Sequence, residues 1–285
     1  MKRLTRMGFL LTILFCSCGS GAEPVQGDSE WSRWRGPNFD AHSADSSLPH
    51  RWTRESVVWR AALNGRGHST PIISGSRIFL TSALEDGKTR SVFCVNRADG
   101  AILWERTAWK GDPEKSHGMN GWASATCATD GEHVYAFFGR GGGIFCYSID
   151  GELVWSRDLG RFEGPWGTAA SPLIVGELVI QNCDADEDAY IIALNKRTGE
   201  RVWRTERPEH RGWSSPILVR VDGRDQIVVN GHTGVIAYAP ESGKELWNCD
   251  CESGRGSPTV TPAGGLLYVV NGLSGGGAYC LKPGG

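Results

Sequence analysis

Ten residues of this 285-residue chain stand where chemistry could collect: Arg66, His68, His117, Asn120, Trp122, Trp166, His210, Arg211, Trp213 and Arg255. Each lies just ahead of, or inside the entry to, a short stretch that alternates apolar and polar residues. Guanidiniums, imidazoles and indoles gathered around one opening would form a concave pocket for a planar or anionic ligand such as a quinone or a sugar. The same residues can also be plain rim structure, with indoles capping a floor and basic groups in water. Residue type alone leaves both readings open. A second candidate is the run DADED, where Asp184, Asp186 and Asp188 alternate as in the start of a calcium loop. Ala189 takes the place of the sixth-position glycine and Asn195 that of the twelfth-position glutamate, so the run reads first as a solvated hairpin turn and only secondarily as a metal site. No G-x-S-x-G, H-E-x-x-H or G-x-x-x-x-G-K occurs, and RGGGIF at 140–145 is a glycine-rich hairpin without the helix that phosphate binding needs.

The elements that must carry these residues repeat. ALNKRTGERVW (193–203) has the spacing of CVNRADGAILW (94–104) and AYAPESGKELW (237–247), and CYSIDGELVW (146–155) is the same motif one turn residue shorter. Trp104, Trp155, Trp203 and Trp247 therefore recur at intervals of 51, 48 and 44 residues. Upstream of each motif or just after it lies a pair of strand-like stretches across a tight turn: HSTPIISGSRIFLTSA, ASPLIVGELVIQN, SSPILVRVDGRDQIVVN and GSPTVTPAGGLLYVVN, with ASATCATDGEHVYAFFG as a variant without proline. Four strands per repeat at this period predict an all-β protein, a β-propeller of four-stranded antiparallel blades. Composition agrees, since 39 glycines and 12 tryptophans against 3 methionines favour short strands and tight turns. In a propeller the loops before each strand pair surround one mouth of the central channel, which is why the ten residues are candidates together.

The A-x-D-x-x-T-G-x-x-x-W pattern resembles the tryptophan-docking motif of the PQQ-like repeat family, which includes quinoprotein dehydrogenases and BamB-type outer-membrane assembly scaffolds. The opening WSRWRGPNFD also resembles secreted PQQ-like proteins of planctomycete type. Asn195 stands for the usual Asp, and Ser242 or Asp99 for Thr, at a turn that needs a short side-chain acceptor. The resemblance implies structural docking for Trp104, Trp155, Trp203 and Trp247, each indole lying on the neighbouring blade. It implies two activities. One is a non-catalytic binding or assembly scaffold with a polypeptide or cell-envelope partner and no cofactor. The other is a quinone-dependent alcohol or sugar dehydrogenase, which would require PQQ with calcium, a carboxylate and amide cradle, an Asp base and usually a disulfide between adjacent cysteines. No two cysteines are adjacent here.

The chain divides into a leader over 1–22, an extension and closing strand over 23–59, and a propeller of four complete blades and a partial fifth over 60–285. SVVWRAAL around Trp59 looks like the end of an outer strand without its blade, and YCLKPGG stops inside a fifth docking turn, so an incomplete, open ring of a seven- or eight-bladed propeller is expected. MKRLTR, MGFLLTILF and CSCGSGAEP read as basic, apolar and small segments of an export signal cleaved after Ala22, with a lipid anchor on Cys18 as the alternative. The apolar run is too short to span a bilayer. A net charge of −2 disfavours nucleic acid as a partner. Cys94, Cys146 and Cys280 occupy the repeat position held by Ala193 and Ala237, which predicts small, buried, free thiols. Cys249 and Cys251 form the one close pair.

Overall fold

The structure, a computed structural model, describes residues 22–24, 30–162, 164–251, 255–271 and 276–284. The expected leader and Cys18 lie outside the described residues, apart from Ala22. Four sheets of four antiparallel strands follow one another in chain order: β2 (Ile72–Ser74), β3 (Arg77–Leu84), β4 (Thr89–Asn96) and β5 (Ile102–Lys110); β6 (Ala128–Thr129), β7 (His133–Phe137), β8 (Ile144–Ser148) and β9 (Leu153–Arg157); β10 (Leu173–Val175), β11 (Leu178–Cys183), β12 (Tyr190–Asn195) and β13 (Arg201–Glu206); β14 (Ile217–Val221), β15 (Arg224–Asn230), β16 (Gly234–Tyr238) and β17 (Glu245–Asp250). A three-stranded fifth sheet contains β18 (Thr261–Ala263), β19 (Leu266–Val270) and β20 (Ala278–Leu281). The chain contributes one more strand, β1 (Ala22–Pro24), antiparallel to β14 on its inner edge. No ladder among the described residues joins the fifth sheet to the first, so the run of sheets is open, as the repeats predict.

Each sheet packs its faces against its neighbours, and the core is the set of these interfaces. Ile72, Phe79, Cys94 and Trp104 of the first sheet share one buried cluster with Val134, Phe145 and Tyr147 of the second. The third sheet joins the fourth and fifth through Leu173, Ile191, Ile217, Val228, Val260 and Leu267. Alternation along short strands supplies these faces, because successive side chains leave a strand on opposite sides.

The docking motif has a local physical basis. In the first, second, third and fourth sheets the tryptophan pairs directly with the small residue ten or nine positions earlier: Cys94 with Trp104, Cys146 with Trp155, Ala193 with Trp203 and Ala237 with Trp247. A register shift follows each pair, and the bulge tilts the indole toward the next sheet. Trp104 donates through Nε1 to the carbonyl of Ile149 at 3.1 Å, Trp155 to that of Lys196 at 2.9 Å and Trp203 to that of Pro240 at 2.8 Å. The receiving turn needs glycine twice over. Gly151, Gly199 and Gly243 have φ of +88°, +68° and +68°, and a Cβ on any of them would lie 2.4–2.8 Å from the docked indole.

Three expectations change. Trp247 packs against the cluster shared with the fifth sheet but does not make the carbonyl bond of the other three; its Nε1 donates to Gln226 Oε1 within its own sheet at 2.8 Å. The segment around Trp59 forms no strand, although its indole still donates to the Arg97 carbonyl at 2.9 Å and covers Gly100 of the first sheet. Cys280 is exposed, because β20 has no outer strand beside it among the described residues. Cys94 and Cys146 are fully buried beneath their tryptophans, and burial pushes their thiols up to about 11 and about 12, the Arg77 guanidinium opposing the effect at Cys94. Thiol titration of the native protein should therefore register Cys280 and leave Cys94 and Cys146 unreactive until denaturant is added without reductant. Peptide mapping that finds either residue in a disulfide would overturn this expectation.

Candidate functional site

The inner strands are joined by a belt of hydroxyls. The amide of Thr70 donates to Thr126 Oγ1 at 2.9 Å, that of Thr126 to Ser171 Oγ at 3.0 Å, that of Ser171 to Ser215 Oγ at 2.9 Å and that of Ser215 to Thr259 Oγ1 at 3.4 Å. Each amide belongs to the entry of one sheet and each hydroxyl to the entry of the next. The Ser or Thr at each sheet entry thus has a purpose: in four of the five entries it adjoins a proline, which offers no N–H, and its hydroxyl supplies the inter-sheet bond that edge backbone would otherwise lack.

Beside the belt, on the strand side, runs an amino-terminal strap. The Trp31 carbonyl accepts from Ile73 N at 2.9 Å and the Ser32 carbonyl from Thr129 N at 3.0 Å, which attaches the strap to the inner strands of the first two sheets. It then crosses to the fifth. Trp34 Nε1 donates to Thr259 Oγ1 at 3.2 Å and Arg35 Nη1 to Thr261 Oγ1 at 2.8 Å. Phe39 ends the crossing, buried in the cluster of the third to fifth sheets.

On the loop side of the belt the rim closes around the turn at Trp166. Asn120 Nδ2 donates to the Trp166 carbonyl at 2.7 Å, and Trp213 Nε1 donates to the Gly167 carbonyl at 2.8 Å, so the entry loops of three successive sheets share one turn. His117 stacks on the Trp166 ring with centroids 4.1 Å apart, and the Arg255 guanidinium stands 5.3 Å from the same centroid. Ser124 Oγ donates to Asn120 Oδ1 at 2.5 Å and lies 3.4 Å from His68 Nδ1. Two connected cavities result. One of about 690 Å³ is lined by His68, Asn120, Trp213 and the belt residues Ser171, Ser215 and Thr259, with Trp34 and Arg35 of the strap. The other, about 330 Å³, holds His117, Trp166 and Arg255 and shares Asn120, Ala169 and Trp213 with the first.

Six of the ten candidates therefore converge: His68, His117, Asn120, Trp166, Trp213 and Arg255. The others serve elsewhere. Arg66 pairs with Asp86 at the surface at 3.0 Å and borders a smaller side cavity that His68, His117 and Asn120 also line. Trp122 donates to the Glu114 carbonyl at 2.9 Å and covers Gly87. Arg211 pairs with Asp186 at 2.8 Å, and His210 stacks on His232 at 3.7 Å. The DADED run does not converge on a metal, since its carboxylates diverge to three arginines: Asp184 to Arg207 at 2.6 Å, Asp186 to Arg211 and Asp188 to Arg204. The Asp184 and Arg207 pair is buried, and Arg207 also donates to Tyr238 Oη at 2.6 Å. Burial works against the Arg207 charge, but Asp184 and Tyr238 outweigh it and hold the guanidinium above its ordinary range. Residue type missed Trp34, Arg35 and the belt hydroxyls. The recurring Ser or Thr at each sheet entry was the available signal for the belt.

The family model of the outer membrane protein assembly factor BamB matches residues 52–181, 88–259 and 187–280. The quinoprotein alcohol dehydrogenase PedH of Pseudomonas putida is 35% identical over 113 residues, which are 34% of this chain and 17% of that protein. The outer membrane protein assembly factor BamB of Moranella endobia is 25% identical over 198 residues, 69% of this chain and 45% of that protein. The chain thus spans less than half the length of these curated relatives. Among solved structures, a quinohemoprotein alcohol dehydrogenase from Comamonas testosteroni aligns with a TM-score of 0.50 at 16% identity over 72% of this chain and 40% of that one, a likeness of fold alone. BamB from Moraxella catarrhalis aligns at 0.42 and 18% identity over 74% and 71%.

Proposed function

This chain belongs to the BamB family of PQQ-like repeat propellers, and from that premise we propose that it is an exported, non-catalytic binding scaffold of the cell envelope that takes its ligand in the rim cavity. The observation carrying the proposal is the cavity lining: indoles, hydroxyls and imidazoles, and, among the described residues, no carboxylate bordering either connected space. Such a wall can hold a ligand by stacking and hydrogen bonds. Ser124 Oγ makes its short bond to Asn120 Oδ1 and stands 3.4 Å from His68 Nδ1, an arrangement that fits a hydrogen-bonding wall. A polypeptide or envelope partner is proposed on the strength of the BamB relatives, and export on the basic, apolar and small leader.

A second reading, quinone-dependent oxidation, is favoured by the identity to a quinoprotein alcohol dehydrogenase. Calcium in such a site takes carboxylate and amide oxygens. Among the described residues the cavity offers one amide, Asn120, with both ends already bonded, so the present donors do not fit the ion. The test adds PQQ and Ca²⁺ to the full chain, and separately titrates neutral and acidic glycans and extended peptides while following tryptophan fluorescence. We expect no dye-linked alcohol oxidation, together with a saturable fluorescence change that Trp166→Ala weakens. Quinone-dependent turnover, or the absence of any saturable ligand, would overturn the scaffold reading.

A further inference from the structure

The strap crosses the inner strands on the side of the hydroxyl belt away from the mouth and borders the larger cavity there. His68, Asn120 and Trp213 stand at the entrance, Ser171, Ser215 and Thr259 form the waist, and Trp34 and Arg35 border the same space from the strap. Two strap features look built. Arg35 has φ +63°, a left-handed conformation that a non-glycine residue adopts only when its surroundings hold it there, and the Trp31 ring covers the following Gly36 so closely that a Cβ there would sit 2.8 Å away. The Arg35 guanidinium spends Nη1 on the Thr259 carbonyl and Thr261 Oγ1, while Nε and Nη2 have no protein acceptor among the described residues. Burial lowers its pKa, partly opposed by Asp40, but an arginine remains charged.

This wall has a particular chemistry. Hydroxyl acceptors and donors at the waist suit a polyhydroxylated ring, an indole gives such a ring an apolar face to lie on, and one guanidinium with free donors suits a carboxylate. No carboxylate among the described residues lines the space to repel an anion. We infer that the strap is the floor of the binding cavity and that Trp34 and Arg35 there select a sugar acid, with Arg35 donating to its carboxylate. The inference rests on the scaffold reading for the location of the site and adds the ligand class and two residues outside the repeats that decide it.

The experiment titrates the full chain with D-glucuronate, D-glucose and a short oligogalacturonate by calorimetry, in wild type and in Arg35→Gln, Arg35→Lys and Trp166→Ala variants. Glucuronate should bind about tenfold or more tightly than glucose, as expected for a charge-assisted hydrogen bond. Arg35→Gln should abolish that ratio, and Arg35→Lys should restore part of it. Limited proteolysis of the strap reports whether it stays seated, and a seated Arg35→Gln strap with an unchanged acid-to-neutral ratio would overturn the inference. Equal wild-type affinity for glucuronate and glucose would do the same. Tighter binding of the oligomer than of glucuronate, lost in Arg35→Gln, would support a glycan end as the source of the acid; tighter binding of glucuronate would support the free sugar. Binding that Trp166→Ala removes and Arg35→Gln does not would leave the scaffold reading standing and end this one.

Discussion

Trp203→Ala is expected to cost about 3 to 5 kcal/mol of folding stability, the range for removing a buried large aromatic. The indole is 8% exposed, donates to the Pro240 carbonyl at 2.8 Å and covers Gly243, so one truncation removes packing and a hydrogen bond from the interface between the third and fourth sheets. Stability in stacked repeats depends on such nearest-neighbour interfaces, and an interior one supports both sides of the arc. Two comparisons make the expectation specific. Trp247→Ala should cost less, because that indole is partly exposed and bonds within its own sheet. Trp166→Ala should cost about 1 kcal/mol, as for partly exposed residues away from the core. Urea unfolding of the three variants measures the order, and equal losses would show that docking and rim tryptophans are not separate classes.

Asp184→Ala should be comparably severe, at about 3 to 5 kcal/mol, for a different reason. The side chains of Arg207 and Asp184 are 1% and 3% exposed, so the variant leaves a guanidinium away from water with Tyr238 Oη as its remaining side-chain partner among the described residues. The double variant Asp184→Leu with Arg207→Met removes both charges and should recover most of that loss, since a buried ion pair contributes little net stability over apolar residues of similar volume. A double variant as unstable as Asp184→Ala would show that the pair itself, and not the stranded charge, is what the fold requires. The same contact explains why the first aspartate of DADED cannot serve a cation: its two oxygens already accept from Arg207 and Asn182.

The sequence by itself determined the repeat, the four-stranded sheets and the small residue opposite each tryptophan. These are local properties: strand alternation has period two, a tight turn needs glycine at positive φ, and a bulky side chain leaves room only for Cys or Ala across the ladder. All of them are present within eleven consecutive residues such as 193–203. The tertiary structure alone decided which rim residues meet. His117, Trp166 and Arg255 come together because three entry loops converge, while Arg66 and Arg211, of the same type and in equivalent loops, each found an aspartate nearby. The floor of the cavity was the least legible part, because Trp34 and Thr259 are 225 positions apart and nothing in either neighbourhood encodes their hydrogen bond. Sheet curvature brings the inner strands around a common space, and a segment outside the repeat period closes it only once that curvature exists.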